Sequence, residues 1–200
     1  MSSDQILVKK PLIFATGSEI RKDIAESHGI SCEFIKSEVD EELIKLNFHG
    51  NDFDKLAIQL ATEKALTISD KNKDYFVVGV DQVCSLDEEI LNKPGNKDNA
   101  IVSLQKLSGK THNQNCGMAI CKDGKIIWQS SAIAELTMKD LTLDEIQRYL
   151  DLDEPYSCSG SYKFEANGKD LFLNVIGSEY TIQGMDIDQL IEAFYREGII

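Results

Sequence analysis

The sequence is short of proline: three in 200 residues, none placed where it would mark a domain boundary. It has no internal repeat and no low-complexity or Pro-rich tract, so one domain spanning residues 1–200 is expected. No apolar run approaches the roughly 20 residues of a membrane span. The opening MSSDQILVKKPLIF lacks the long apolar stretch and small-residue cleavage site of a signal peptide, so a cytoplasmic protein is expected. Basic charge is scarce. The 21 Lys and Arg stand against 34 Asp and Glu, a net charge of −13. Such a chain repels nucleic acid and anionic membrane surfaces, and neither is expected as a partner. A nucleotide is not excluded, because a local basic pocket or a divalent metal can hold a triphosphate inside an acidic protein. The five cysteines are odd in number and scattered, with no C-x-x-C pair. That excludes an obvious disulfide framework or zinc site and favours buried free thiols.

What is present is ordinary for a globular chain: 42% apolar and 28% charged residues, long enough for a sizeable core. Phe76 to Pro94 is the most informative stretch. Phe76-Val77-Val78 reads as a short buried strand ending at Gly79-Val80-Asp81-Gln82. A carboxylate just past a rigid strand is well aimed into a cleft. Val83 to Leu86 reads as a second extended piece, Asp87 to Glu89 as a polar turn, and Lys93-Pro94 closes the excursion. Asp81 and Lys93 could meet on one ligand. Equally, the stretch could be a solvated hairpin with a turn aspartate and a surface lysine.

Leu12 to Ala15 reads as a strand and Thr16-Gly17-Ser18 as a loop, with Ser18 capping a helix to about Ser27 that Gly29 ends. Such a loop can present backbone N–H groups to phosphate, or exist for geometry alone. Cys32 to Ile35 reads as a strand, and residues 42–53 as an irregular loop. Asp54 to about Ser69 carries helical spacing of Leu56, Leu60 and Ala61. Asn96 caps another helix, Lys122 to Lys125 signals a hairpin, and Thr142 to Glu145 is a capping box opening a helix to about Leu150. A strand near Leu171 to Ile176 and a helix from about Asp188 to Arg196 close the chain. Trp128 reads as core, and His49 as a surface residue.

Gly79-Val80-Asp81-Gln82-Val83 and Asn92-Lys93-Pro94 resemble the G-x-D-[TQ]-V and G-K-P signatures of the Maf family, the house-cleaning nucleoside triphosphate pyrophosphatases. Further motifs follow the same order. Thr16, Ser18 and Arg21 match the opening motif, but Glu19 replaces its proline and Ile20 its first Arg, or the Trp of the methyl-GTP branch. Ser37-Glu38-Val39-Asp40-Glu41 is similar to P-x-V-D-E, Ala61 to Ala65 to A-x-x-K-A with Lys64, and Leu107 to His112 to L-S-G-x-x-H, where His112 reads as structural. Cys158 to Glu165 resembles the C-A-G-S-[FY]-K-x-E of the branch that prefers 7-methyl-GTP, and Asp186 replaces the proline of G-L-P. The resemblance implies an α/β fold: a twisted mixed sheet flanked by helices, with two lobes around a central cleft. It implies hydrolysis of a nucleoside triphosphate to the monophosphate and pyrophosphate with Mg²⁺ or Mn²⁺, and is compatible with a homodimer. Asp81 and Glu41 would hold the metal, and Asp81 would orient or deprotonate the water. Lys64, Lys93 and Arg21 would meet phosphate, with Thr16, Ser18 and Gln82 as further substrate contacts. Glu165 would favour a cationic methylated base. Without the resemblance, Glu41, Lys64 and Glu165 read as solvated charges. The departures at Glu19, Ile20 and Asp186 keep open a nucleotide-binding sensor with weakened turnover, and a purely structural interaction protein is the third reading.

Overall fold

A computed structural model of the chain describes residues 6–200. Three apolar residues form the buried strand β1 (Leu12–Phe14), which lies parallel to β2 (Glu33–Phe34) on one side and β3 (Phe76–Leu86) on the other. The remaining pairings are antiparallel. β4 (Glu89–Ile90) and β5 (Thr111–Lys122) flank β3, then come β6 (Lys125–Met138) and β7 (Phe172–Ile176). The result is a seven-stranded mixed sheet in the order β2-β1-β3-β5-β6-β7, with β4 against β3.

Helices cover both faces. α1 (Glu19–Ser27) follows β1, and Gly29 ends it at φ 68°. α2 (Glu41–Asn47) precedes the long α3 (Phe53–Ser69). α4 (Lys97–Leu107) and α5 (Leu143–Asp153) start on side-chain caps from Asn96 and Thr142, and Glu145 completes a capping box on α5. Short α6 (Glu179–Ile182) leads into α7 (Ile187–Arg196). Among the described residues no helix is long and apolar enough to cross a membrane.

Two glycines let α3 lie directly on the sheet. A methyl group on Gly79 would come within 1.9 Å of the Ala61 carbonyl oxygen, and one on Gly117 within 2.0 Å of the Ala57 carbonyl carbon. Neither approach is tolerable to a real Cβ, so both positions require a bare backbone. On the opposite face the apolar side chains divide. One cluster joins α1 and α7 to Val78, Val80 and Met118; the other joins α4 and α5 to Leu86, Leu136 and Tyr162. A cleft between these two lobes opens beside the middle of β3.

Three sequence expectations need correction. β3 is one uninterrupted strand, so Asp81 lies in its middle and not past its end. The geometry still aims the carboxylate into a cleft, because β1 stops pairing at Val78 and β4 begins only at Ser85. Between those points that side of β3 has no strand neighbour. Residues 42–53 are not an irregular loop. Asp40 accepts a hydrogen bond from Leu43 N and starts α2, a helix too short and too exposed to carry an apolar stripe. The strand expected over Cys32 to Ile35 keeps only Glu33 and Phe34, since β1 offers just three residues to pair with.

Candidate active site

Thr62, Lys64 and Ala65 sit on the buried side of α3. That burial places the Lys64 ammonium beneath the gap in the sheet, 2.7 Å from Asp81 Oδ2 and 2.7 Å from Glu41 Oε1. The side chains of Lys64 and Asp81 are 11% and 10% exposed; that of Glu41 is 34% exposed. Asp81 Oδ1 accepts from the backbone N–H of Gln82 at 2.6 Å, which fixes the carboxylate plane. Among the described residues its buried Oδ2 meets only the lysine. Burial pushes the Glu41 carboxyl up, but the charge and hydrogen bond of Lys64, with Lys93 and Lys45 behind them, outweigh it and hold the group below its ordinary value. Breaking such a pair strands a partly desolvated charge, so the three groups are mutually dependent.

The clamp forms part of the wall of a cavity of about 570 Å³. Its lining contains every residue singled out for binding or catalysis: Thr16, Ser18, Arg21, Glu41, Lys64, Asp81, Gln82, Lys93 and Glu165. Six cations and four carboxylates face it, in a chain whose net charge is −13. An anion entering this cavity therefore meets a local excess of positive charge that the whole molecule lacks.

Each expected contact has a definite setting. Thr16 is buried and its Oγ1 accepts from Ser18 N at 3.2 Å, so the loop after β1 is a tight polar turn. Arg21 Nη1 donates to the Val80 carbonyl at 3.0 Å. That carbonyl lies where β3 has lost its strand neighbour, and the guanidinium takes the missing partner's place. The Arg21 Nε is buried with no partner among the described residues. Gln82 Nε2 donates to the carbonyls of Thr181 and Ile182 and ties β3 to α6. Lys93 and Glu165 are exposed at the rim.

The departures in the sequence have local explanations. Asp186 caps α7, accepting from Gln189 N at 3.2 Å and from Thr181 Oγ1 at 2.9 Å. Glu19 is exposed and pairs with Lys22 at 2.7 Å. Ile20 is half-buried and lines the cavity. His112 is buried and reaches the Tyr162 hydroxyl through Nε2 at 2.9 Å; burial lowers its imidazole to about 4. His49 is exposed, as expected, and lies outside the lining. Cys84, Cys116 and Cys121 are buried free thiols, all pushed up to about 12 by burial.

Several lining residues were not singled out as site residues from the sequence: Lys36, Lys45, Gln114, Tyr162 and Lys163. Lys36, Lys45 and Gln114 sit in ordinary local patterns, and only long-range packing brings them to the cavity. Tyr162 and Lys163 lie inside the Cys158 to Glu165 motif, which was the available signal. Lys163 Nζ is engaged by the Asp153 carbonyl at 2.7 Å, so it holds α5 against the cavity wall.

Among the described residues no group of three or more His, Cys, Asp or Glu side chains could enclose a metal ion. The chemistry present does fit a hard divalent ion of the kind that takes one or two carboxylates and completes its shell with water and phosphate. Asp81 and Glu41 converge on one cation already, the Lys64 ammonium.

The family model described as Maf-like protein matches residues 11–197. A nucleoside triphosphate pyrophosphatase of Legionella pneumophila (strain Lens) is 38% identical over 196 residues, covering 98% of this chain and 98% of that one. A 7-methyl-GTP pyrophosphatase of Brucella abortus biovar 1 is 34% identical over 193 residues, covering 94% of this chain and 97% of that one. Among solved structures, a HAM1 protein from Coxiella burnetii aligns with 64% of this chain and 73% of its own at 9% identity, and its TM-score of 0.43 is too low to build on. With the family model spanning nearly the whole chain and relatives matching it end to end, the chain belongs to the Maf-like protein family.

Proposed function

We propose that this cavity hydrolyses a nucleoside triphosphate to the monophosphate and pyrophosphate. The observation that carries the reading is Lys64, buried and clamped between Asp81 and Glu41 inside a basic cavity of an acidic protein. Curated relatives named for this activity, one of them 38% identical over 98% of the chain, support it.

The leaving group is pyrophosphate, whose large negative charge must be met by fixed cations. Lys64, Lys93 and Arg21 supply that charge, with Lys36 and Lys45 beside them on the lining. Thr16 and Ser18 donate hydrogen bonds to phosphate oxygens. Asp81 takes the water's proton as the water oxygen bonds to the α-phosphorus and the bond to the bridging oxygen breaks. Its carboxylate plane is already fixed by Gln82 N. Asp81 and Glu41 would hold Mg²⁺ or Mn²⁺, which when bound supplies further charge neutralisation on the triphosphate.

The base is the finer part of the proposal: 7-methyl-GTP preferred over GTP. Glu165 on the rim gives a carboxylate toward a cationic base, and a relative 34% identical is named for that substrate. Ile20, in place of an aromatic ring, gives no cation–π face, so the preference is a narrow one. A screen of pyrophosphate release over GTP, 7-methyl-GTP and UTP, with and without Mg²⁺ or Mn²⁺, tests all of this. Metal-dependent release with 7-methyl-GTP leading is the expected result. Nucleotide binding without release would convert the reading to a sensor, and UTP used as well as 7-methyl-GTP would remove the methyl-guanine assignment.

A further inference from the structure

Strand alternation sorts the cavity into two ends. Along β3, Asp81 and Val83 point toward α3, and Gln82 and Cys84 point to the opposite face. Gln114 on β5 pairs with Cys84 in register and shares that opposite face. Lys45, Lys64 and Lys93 gather with Glu41 at the α3 end. Tyr162, Phe164 and Ile182, members of the apolar cluster on that face, line the cavity with Gln114.

Gln114 is 1% exposed and yet lines the cavity. Its Nε2 donates to the Tyr162 hydroxyl at 2.7 Å, and that hydroxyl also meets His112 Nε2 at 2.9 Å. That bond uses one of the two amide N–H groups and fixes which way the amide faces. The Gln114 Oε1 is buried with no partner among the described residues. Gly160, at φ 79°, brings the next loop so close that a Cβ there would stand 3.5 Å from Gln114 Nε2 and 3.0 Å from Cys84 Sγ. That loop packs against the amide on one side, and the residue lines the cavity on another. A buried acceptor without a donor is costly, and a ligand that supplies the donor recovers that cost.

We propose that Gln114 reads the base edge of the bound nucleotide, accepting a hydrogen bond from a ring or exocyclic N–H. The inference rests on the nucleoside triphosphate reading of the cavity and names a specificity residue within it. An ionised phosphate oxygen is itself an acceptor, so it cannot be the partner of Oε1. Tyr162 is a positioning residue: it holds the amide in the orientation that leaves oxygen free.

The experiment compares the wild-type protein, Gln114→Leu and Tyr162→Phe. The nucleotides are GTP, 7-methyl-GTP and purine riboside triphosphate, which keeps the ribose and phosphates but has no N–H on its ring. Inorganic tripolyphosphate is the base-free control. Pyrophosphate release gives kcat/KM for the nucleotides, and calorimetry gives Kd for tripolyphosphate. The wild type should favour both guanine nucleotides over purine riboside triphosphate by about tenfold. Gln114→Leu should erase that margin by losing kcat/KM on the guanine nucleotides, with the tripolyphosphate Kd unmoved. Tyr162→Phe should lose part of the margin. An intact margin in Gln114→Leu would overturn the inference and leave the activity standing. Equal losses on all three nucleotides would overturn it too, in favour of a ribose contact or a packing role. A wild type that binds no nucleotide would bring down the parent reading and this one together.

Discussion

The two ends of the cavity solve opposite problems. At the α3 end the carboxylates of Asp81 and Glu41 each pair with the Lys64 ammonium. At the other end Gln114, Tyr162 and His112 are uncharged at neutral pH and form a hydrogen-bonded chain. A charged clamp can be buried only if every member stays paired, so it is rigid and intolerant of change. A neutral network costs less to bury and can leave one atom open for a ligand. Under the function proposed above, the two ends divide the labour, with chemistry at the charged end and selection at the neutral one.

Substitutions at the charged end should have the largest effects. Asp81→Asn should lower kcat by about 10²–10⁴-fold while the protein stays folded, read by pyrophosphate release beside a circular-dichroism melt. Activity near the wild-type level would remove Asp81 from the chemistry and dissolve the distinction between the ends.

Lys64→Ala should be next, and it should damage both activity and stability. It removes a proposed phosphate partner and leaves Asp81 and Glu41 without their shared cation, a loss of about 3–5 kcal/mol for a buried pair. Urea unfolding of the variant measures the second effect. The clamp also has a pH signature. Because Glu41 is held below its ordinary 4.5, its contribution to stability is fully present above that value. It is lost as the pH falls through the lower folded value. The difference in melting temperature between wild type and Glu41→Gln should therefore be constant near pH 7 and shrink below about pH 4.5. A difference that grew on acidification would contradict the pairing.

Gly117→Ala tests whether the charged end depends on helix placement. The added methyl group would collide with the α3 backbone and push the helix off the sheet, carrying Lys64 with it. We expect about 1–3 kcal/mol of destabilisation. In the surviving folded fraction kcat should fall while nucleotide discrimination changes little. A variant with normal activity and stability would show that α3 can shift without disturbing the clamp.

The smallest effect belongs to the rim. Glu165 is exposed, so solvent screens its charge. Glu165→Gln should narrow the preference for 7-methyl-GTP over GTP by a few-fold and leave GTP itself little affected. The ratio of the two kcat/KM values decides it, and an unchanged ratio would leave Gln114 as the sole discriminator of the base among the residues proposed here.

Much of this molecule is local and therefore legible. The caps at Asn96 and Thr142, the left-handed turn at Gly29 and the hairpin at Asp123-Gly124 each depend on a few neighbouring residues, and each forms where the sequence placed it. The chain order of the motifs around Thr16, Glu41, Lys64, Asp81, Lys93 and Glu165 pointed to one cavity, because short motifs fix residue type and spacing. What the sequence could not determine depends on strand pairing and packing. Asp81 looked terminal because Gly79 interrupts the apolar run, yet β5 pairs with β3 straight through it, and the absence of β1 beyond Val78 opens the cleft. Residues 42–53 looked irregular because α2 has no apolar stripe to announce it. Lys36, Lys45 and Gln114 carry no local mark at all, since a lone lysine or a strand glutamine is ordinary until long-range contacts decide what it faces. Composition and spacing set the local conformations; the sheet register and the seating of α3 on two glycines decided which of those residues share a cavity.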